Sequence, residues 1–418
     1  MGSILDLNFV FEKDSETFNG SPRYSYRGPL YNFVKKQRGG NNSKIYTENL
    51  QLANGKRNIL FFEISRGELE FKRIVKTYKN WIIENNVNIL LANIADPTHE
   101  AGFKKLFNII QKSDLAKYVH FIDSNIILKK YPNTQTFDFF IEDIISWGKK
   151  MEDELFGYGS NNDLGYLSEK IEESELDNFR NKKFLSFNRV LSTKYHRSKL
   201  FFDYFRFNLH KDNYFSFLQN KDFYNGSDWF QGFKDDNEYK HEFIDDCISK
   251  LPITLDTGDW KGDYSGFRTG DTFKKELFLN SCINIVTETS FQMNELFLSE
   301  KILKPIVMYQ PFIVFSSVHY LKRIKEIGFK TFDEFWDESY DDLYDWEERY
   351  NKILLLILEL NSKSIDELNN LYKSLKHICI YNRNHLLKMR RNSWPKIMAN
   401  ISDSFYKKTT KKLNKDLI

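Results

Sequence analysis

The chain has 418 residues, which suits two domains better than one core. Its 61 basic and 58 acidic side chains nearly cancel, so charge gives no general argument for nucleic acid or an anionic membrane. Hydrophobic residues at 41% and aromatics at 16% exclude a disordered chain.

Cys247, Cys282 and Cys379 lie far apart, with neither metal spacing nor a disulfide framework, and point to a reducing, cytoplasmic compartment. No apolar run approaches the roughly 20 residues of a membrane-spanning helix. The amino terminus lacks the basic and apolar regions of a signal peptide.

Residues 1–56 read as a polar, irregular extension. Asn58 to Glu63 predicts a first strand, Phe71 to Glu84 an amphipathic helix and Val87 to Asn93 a second buried strand. The loop Asp96-Pro97-Thr98-His99-Glu100-Ala101-Gly102 leads to a helix over Phe103 to Gln111, and Tyr118 to Asp123 is a third strand. Strands alternating with helices predict a parallel sheet covered on both faces. The polar strand ends are Glu63, Asp96, His99, Glu100 and Asp123. This first domain is expected over 1–150, with a Gly- and Asn-rich connection over 151–182.

Lys183 to Arg189 predicts a strand running into a polar loop, and His196-Arg197 opens a helix. Asn208 to Asp246 reads as helices and loops, Leu251 to Asp256 as a further strand, and Thr257 to Gly266 as a loop before a helix over Phe273 to Asn280. Cys282 to Val286 is a short β-branched run that predicts a buried strand. Ser299 is an N-cap candidate with Glu300 in the first turn, and Pro311 to Phe315 is another buried strand. This is a βαβ unit. Ligands of such units sit beyond the carboxyl ends of the strands, and helix N-termini attract phosphate. Glu288, Ser290, Glu300, Lys301 and Lys304 fall near that edge. A carboxylate there suits ribose hydroxyls and a lysine suits a diphosphate. Asp333 to Asp342 reads as a solvated acidic face. Trp346 to Leu360 and Ile365 to Met389 are long helical patterns before a lysine-rich tail.

Glu288-Thr289-Ser290, then Leu298-Ser299-Glu300-Lys301, then Pro311 resembles the sugar-nucleotide site of the fucosyltransferase-like (α-1,3-fucosyltransferase) glycosyltransferases. That family carries a Glu-Asn-Ser strand end, a Tyr-(Val/Ile)-Thr-Glu-Lys segment and a strand opening near proline. Here Thr289 stands for Asn, Ser299 stands for Thr, and the spacer is longer. The resemblance implies a GT-B fold, with two Rossmann-like domains facing a cleft and C-terminal helices crossing back. It implies a donor domain over 183–375 and a terminal helix and basic tail over 376–418. It also implies that an arginine after a Ser-Asn strand end binds the donor diphosphate. Asn188 and Arg197 match that order, with Arg189 as a rival.

No Gly-x-x-x-x-Gly-Lys-Ser/Thr loop, no Gly-x-Gly-x-x-Gly after a strand and no Asp-x-Asp triplet is present. The resemblance implies inverting transfer from a nucleotide sugar, GDP-fucose or a related GDP-sugar, to a glycan or other hydroxyl acceptor, and with Arg and Lys in place of a metal the expected activity is metal-independent. No further cofactor or metal is implied. Arg197 and Lys301 would hold the diphosphate and Glu300 the ribose. The base that deprotonates the acceptor is sought among Asp96, His99 and Glu100, with Glu63 behind them. A helix start follows these residues, so capping is their alternative role. Two other functions remain. One is a non-catalytic sugar-nucleotide-binding accessory protein. The other is a phage or viral glycosyltransferase acting on modified DNA, for which a local basic cleft would have to overcome the near-neutral charge.

Overall fold

The computed structural model describes residues 7–11, 52, 57–63, 68–93, 98–136, 138, 171–188, 191, 194–218, 230–235, 238–255, 275–292 and 295–389. The chain divides into two units. The first comprises Met1–Asp143, Asn294–Phe297 and Met389–Ile418, and the second Ile144–Met293 and Leu298–Lys388.

The first unit is built on a five-stranded sheet of β1 (Leu7–Phe11), β2 (Arg57–Glu63), β3 (Asn88–Asn93), β4 (Val119–Asp123) and β5 (Thr134–Thr136), all parallel. Between them run α1 (Glu68–Glu84) and α2 (Glu100–Gln111). Strand order follows chain order. Right-handed crossovers then put α1 and α2 on one face of the sheet, where Lys105 Nζ of α2 meets Glu68 Oε2 of α1 at 2.9 Å. The expectation of helices on both faces is therefore not met by these two. Phe71, Ile74 and Ile82 of α1 and Phe103, Leu106 and Ile110 of α2 pack on Leu60, Ile89, Leu91 and Phe121. Asn86 ends α1 in a left-handed conformation, and Val87 N donates to Ile82 O at 3.0 Å.

The second unit holds β6 (Lys182–Asn188), α3 (Tyr195–Arg206), β7 (Tyr214–Phe217), α4 (Gln231–Asp235), α5 (His241–Ser249), α6 (Lys275–Leu279), β8 (Ser281–Thr287), α7 (Glu300–Val307), β9 (Phe312–Phe315), α8 (Tyr320–Glu326), α9 (Trp346–Ser362) and α10 (Ile365–Met389). Its parallel sheet has the order β7-β6-β8-β9. The chain steps from β6 outward to β7, then returns past β6 to β8 and β9. The order reverses at β6 and β8, and the carboxyl ends at such a reversal are where open α/β sheets bind ligands. All of β8 is buried, as an interior parallel strand requires.

Several expectations change. Leu7–Phe11 is a strand within the stretch read as irregular, and its Leu-Asn-Phe-Val-Phe sequence fits a sheet edge beside β2. β5 and β7 were not foreseen; each is too short for a visible period. Leu251 to Leu255 is not a strand, for Ile253 makes only an isolated bridge to Phe217. The acidic stretch is only partly solvated: Glu338 accepts from Phe332 N at 2.9 Å, and Asp341 accepts from Leu321 N at 2.8 Å and Lys322 N at 2.9 Å, both carboxylates being buried. Within 171–181, Arg180 is buried and donates to the carbonyls of Phe278, Leu279 and Ser281. The loop from Thr257 to Gly266, the Gly- and Asn-rich stretch 157–162 and the tail from residue 390 lie outside the described residues.

Candidate functional site

The backbone pairing of β6 with β8 stops at Leu185 and Asn284, before the carboxyl ends. Side chains take over there: Thr287 Oγ1 donates to Asn188 Oδ1 at 2.5 Å, and Asn188 Nδ2 donates to Ser186 Oγ at 3.0 Å. From the first turn of α3, Arg197 Nη2 donates to Thr287 O and Glu288 O, each at 3.0 Å. His196 Nε2 lies 3.0 Å from the same Glu288 carbonyl, which requires the ring proton on that nitrogen. Burial, with Arg197's charge next to it, pushes the imidazole well below its usual range, so His196 is neutral at pH 7.

The next layer is organised by the Glu288 carboxylate. Oε1 accepts from Ser299 N at 3.3 Å and from the Tyr320 hydroxyl, and Oε2 accepts from Thr289 N at 3.3 Å and Ser299 Oγ at 2.5 Å. A carboxylate has about four acceptor positions, and protein donors occupy that number here. Glu288 therefore binds the end of β8 to the starts of α7 and α8. Ser299 Oγ also accepts from Lys301 N at 3.2 Å, the N-cap bond expected of it. Lys301 Nζ reaches Ser299 Oγ at 3.3 Å and Thr289 Oγ1 at 3.4 Å. An ammonium, two hydroxyls and the first turn of α7 thus share the carboxyl edge of the sheet, a combination that suits an anion.

The loops of this edge are fastened from beneath. Buried Arg349 donates from Nε to Ser316 O at 3.0 Å, and through its Nη atoms to Phe291 O and Leu343 O. It thereby ties the loops after β8 and β9 to the segment before α9. Burial lowers its pKa, yet an arginine stays charged throughout the physiological range.

In the first unit, Asp123 ends β4. It accepts from Thr98 N at 3.2 Å, Asn125 N at 2.7 Å and the Thr98 hydroxyl. Asn93 Nδ2 donates to Thr98 Oγ1 at 2.7 Å, and Asn125 Nδ2 to Thr98 O at 2.9 Å. Segment 295–297 joins this end of the sheet, with Ile126 N donating to Leu296 O at 2.9 Å and Leu296 N to Asn125 Oδ1 at 3.1 Å. Burial pushes the Asp123 carboxyl up to about 6, against the hydrogen bonds from Thr98 and Asn125 and with a further push from Glu295. A carboxylate near pH 6 suits a general base at neutral pH.

Arg197, Asn188, Glu288 and Lys301 are thus brought together on one edge. Ser290 lies on the same edge, buried, with Ser316 Oγ donating to its carbonyl at 3.5 Å. Lys304 is buried elsewhere on α7, its ammonium 5.5 Å from the Phe187 ring. Glu300 opens α7, but its side chain, like that of Glu63, is outside the described set, as are Asp96 and Arg189 altogether. His99 is the exposed N-cap of α2 and makes no side-chain capping bond. Glu100 pairs with Lys130 and accepts from Tyr131 Oη at 3.1 Å, which suits a helix-start carboxylate. Sequence reading named Asp123 only as a polar strand end; the turn Asp123-Ser124-Asn125 after a buried strand was the available clue. Ser299 was read as a cap and as the counterpart of the family's Thr, and nothing in the sequence marked Glu295 or Arg349.

Among the described residues, no group of three or more His, Cys, Asp or Glu side chains is placed to hold a metal, and no helix is long and apolar enough to cross a membrane. No protein-family model matches the chain, and no curated protein matches it.

Proposed function

We propose that the chain is an inverting, metal-independent glycosyltransferase of the GT-B type that takes its sugar from a nucleoside diphosphate. The observation that carries this reading is the convergence of Lys301, Ser299 and Thr289 at the start of α7, on the edge where the strand order reverses. The diphosphate would lie against Lys301 and the first turn of α7. Arg197 and Glu288 would shape that seat rather than enclose the ligand, because their described bonds go to the protein. The sugar-nucleotide resemblance favours a GDP-sugar.

Transfer then proceeds by single displacement. The acceptor hydroxyl gives its proton to a general base. The acceptor oxygen attacks the anomeric carbon opposite the leaving group. The bond from that carbon to the diphosphate oxygen breaks, and the electron pair leaves with the nucleotide. Lys301 offsets the developing negative charge.

The test is titration of GDP and GDP-sugars into wild type and Lys301→Ala, with melting curves alongside. A charge-assisted bond to phosphate is worth roughly 1.5–3 kcal/mol, so dissociation constants should rise about tenfold or more. Unchanged affinity in Lys301→Ala would remove the phosphate assignment. Absence of binding by GDP-, UDP-, CMP- and dTDP-sugars alike would remove the nucleotide reading.

A further inference from the structure

Beyond β9 the chain enters α8 through His319, whose backbone is left-handed at φ 63°. A non-glycine residue in that region is strained and persists only when its surroundings hold it. Here the hold is visible: His319 N donates to Asp341 O at 2.7 Å, while the buried Asp341 carboxylate caps the start of α8. Asp342, next along, has a side chain 76% exposed, and its Oδ1 lies 3.3 Å from His319 Nδ1. On the other side of the ring, His319 Nε2 and Tyr344 Oη are 3.1 Å apart, and the two rings meet edge to face at 5.4 Å and 90°.

Tyr344 is 76% exposed, the largest exposure among the large apolar and aromatic side chains of the described residues. An exposed aromatic usually gains nothing from being held still. This one is held, because Arg349 binds the carbonyls of Leu343 and Tyr344 from below and His319 braces the hydroxyl. Arg349 also binds Phe291 O, two residues beyond Thr289, which Lys301 contacts. A fixed, solvent-facing ring and an open carboxylate are therefore anchored to the same loops as the phosphate seat.

We propose that Tyr344 and Asp342 form the nucleobase subsite, reading guanine by stacking and by its Watson–Crick edge. This rests on the nucleotide-sugar reading above and adds the residues that would read its base. The Tyr344 ring offers a π-face to a planar heterocycle. Asp342, still open to solvent, can accept from guanine N1–H and the 2-amino group together, a pair of donors that adenine, uracil and cytosine do not present. His319 is a positioning residue that sets the angle of the Tyr344 ring.

The experiment is calorimetric titration of GDP, IDP, ADP and UDP into wild type, Tyr344→Ala, Tyr344→Phe, Asp342→Asn and Lys301→Ala, with melting temperatures for each. IDP keeps N1–H and lacks the 2-amino group. Wild type should bind GDP at least about tenfold more tightly than ADP or UDP, with IDP between them. Base stacking on an aromatic is a substantial share of single-strand affinity, so Tyr344→Ala should weaken GDP and IDP about tenfold, and Tyr344→Phe should restore most of that. Asp342→Asn should bring GDP, IDP and ADP close together. Tyr344 and Asp342 are exposed, so the melting temperatures of their variants should stay near wild type. If Lys301→Ala weakens GDP while Tyr344→Ala and Asp342→Asn leave both affinity and base preference intact, the phosphate seat stands and this subsite is wrong. If wild type binds none of the nucleotides, both assignments fall.

Discussion

Ser299 Oγ donates to Glu288 Oε2 at 2.5 Å while accepting from Lys301 N at 3.2 Å. One hydroxyl thus closes the N-terminus of α7 and satisfies the buried carboxylate that follows β8. Ser299→Ala removes both contacts. Loss of an N-cap costs typically about 1 kcal/mol, and loss of a bond to a buried charge roughly 1.5–3 kcal/mol. The variant should lose about 2–4 kcal/mol in urea unfolding, with its unfolding slope unchanged. A loss below about 0.5 kcal/mol, the range of an ordinary surface substitution, would show that Glu288 finds other donors.

Arg197 separates two roles that sequence alone leaves level. Its Nη2 holds the carbonyls of Thr287 and Glu288, and the residue is buried. Arg197→Ala should cost about 2–5 kcal/mol, because buried carbonyls lose their donor and a cavity opens. Arg197→Lys should recover only part of this, since an ammonium lacks the planar fork. A variant with wild-type stability but much weaker nucleotide binding would instead place this guanidinium on the ligand.

The Asp123 carboxyl, raised to about 6 in the folded chain from an ordinary 3.8, makes folding depend on pH. Below pH 4 the group is protonated folded and unfolded, and its neutral form fits the buried site. Between about pH 4 and 6 the unfolded chain releases the proton first, so folding loses stability as pH rises. The loss levels off above the folded value, after about 3 kcal/mol at most. Glu338, pushed up to about 7 by burial, adds a slope of the same sign that extends higher. Asp123→Asn should therefore flatten the pH dependence of the urea midpoint between pH 4 and 6 relative to wild type. An Asp123→Asn midpoint that keeps the wild-type pH dependence would place the shifted proton on another group.

The grouping at the carboxyl edge of the second sheet was legible because its residues are local. A β-branched run, a serine cap and a lysine two residues later lie in one short stretch, and the sheet gathers them by strand order. Asp123 was half legible, as a polar residue ending a strand. What raises it above Glu100 is burial and the neighbouring Glu295, and Glu295 lies far along the chain, between β8 and α7. Arg349 could not be read at all: it sits in an exposed-looking run, Trp346-Glu347-Glu348-Arg349, and only tertiary packing shows its donors turned onto loop carbonyls. Asp341 and Asp342 make the same point, since adjacent and identical residues fell to a buried cap and a solvent-facing carboxylate.

Asp203 on α3 is a further buried carboxylate, and its partners allow a sharper pH test. Oδ1 accepts from Tyr239 Oη and Oδ2 from Tyr350 Oη, both at 2.8 Å. Burial raises its pKa; the two hydroxyls and Lys199 work in the opposite direction. Each hydroxyl stabilises the ionised form, so Tyr239→Phe or Tyr350→Phe should raise the folded pKa further while leaving the rings' packing intact. At pH 8 each substitution should cost about 1–3 kcal/mol. The cost should shrink as the pH falls to 4, because protonation removes the charge that the hydroxyls stabilise. The double variant should cost less at pH 8 than the sum of the single variants. Once both donors are gone, taking up a proton becomes the cheaper state and limits the penalty. Urea unfolding of wild type, both single variants and the double variant at pH 4 and 8 measures this directly. Equal costs at the two pH values, adding without remainder, would mean that the hydroxyls act through packing and not through the charge on Asp203.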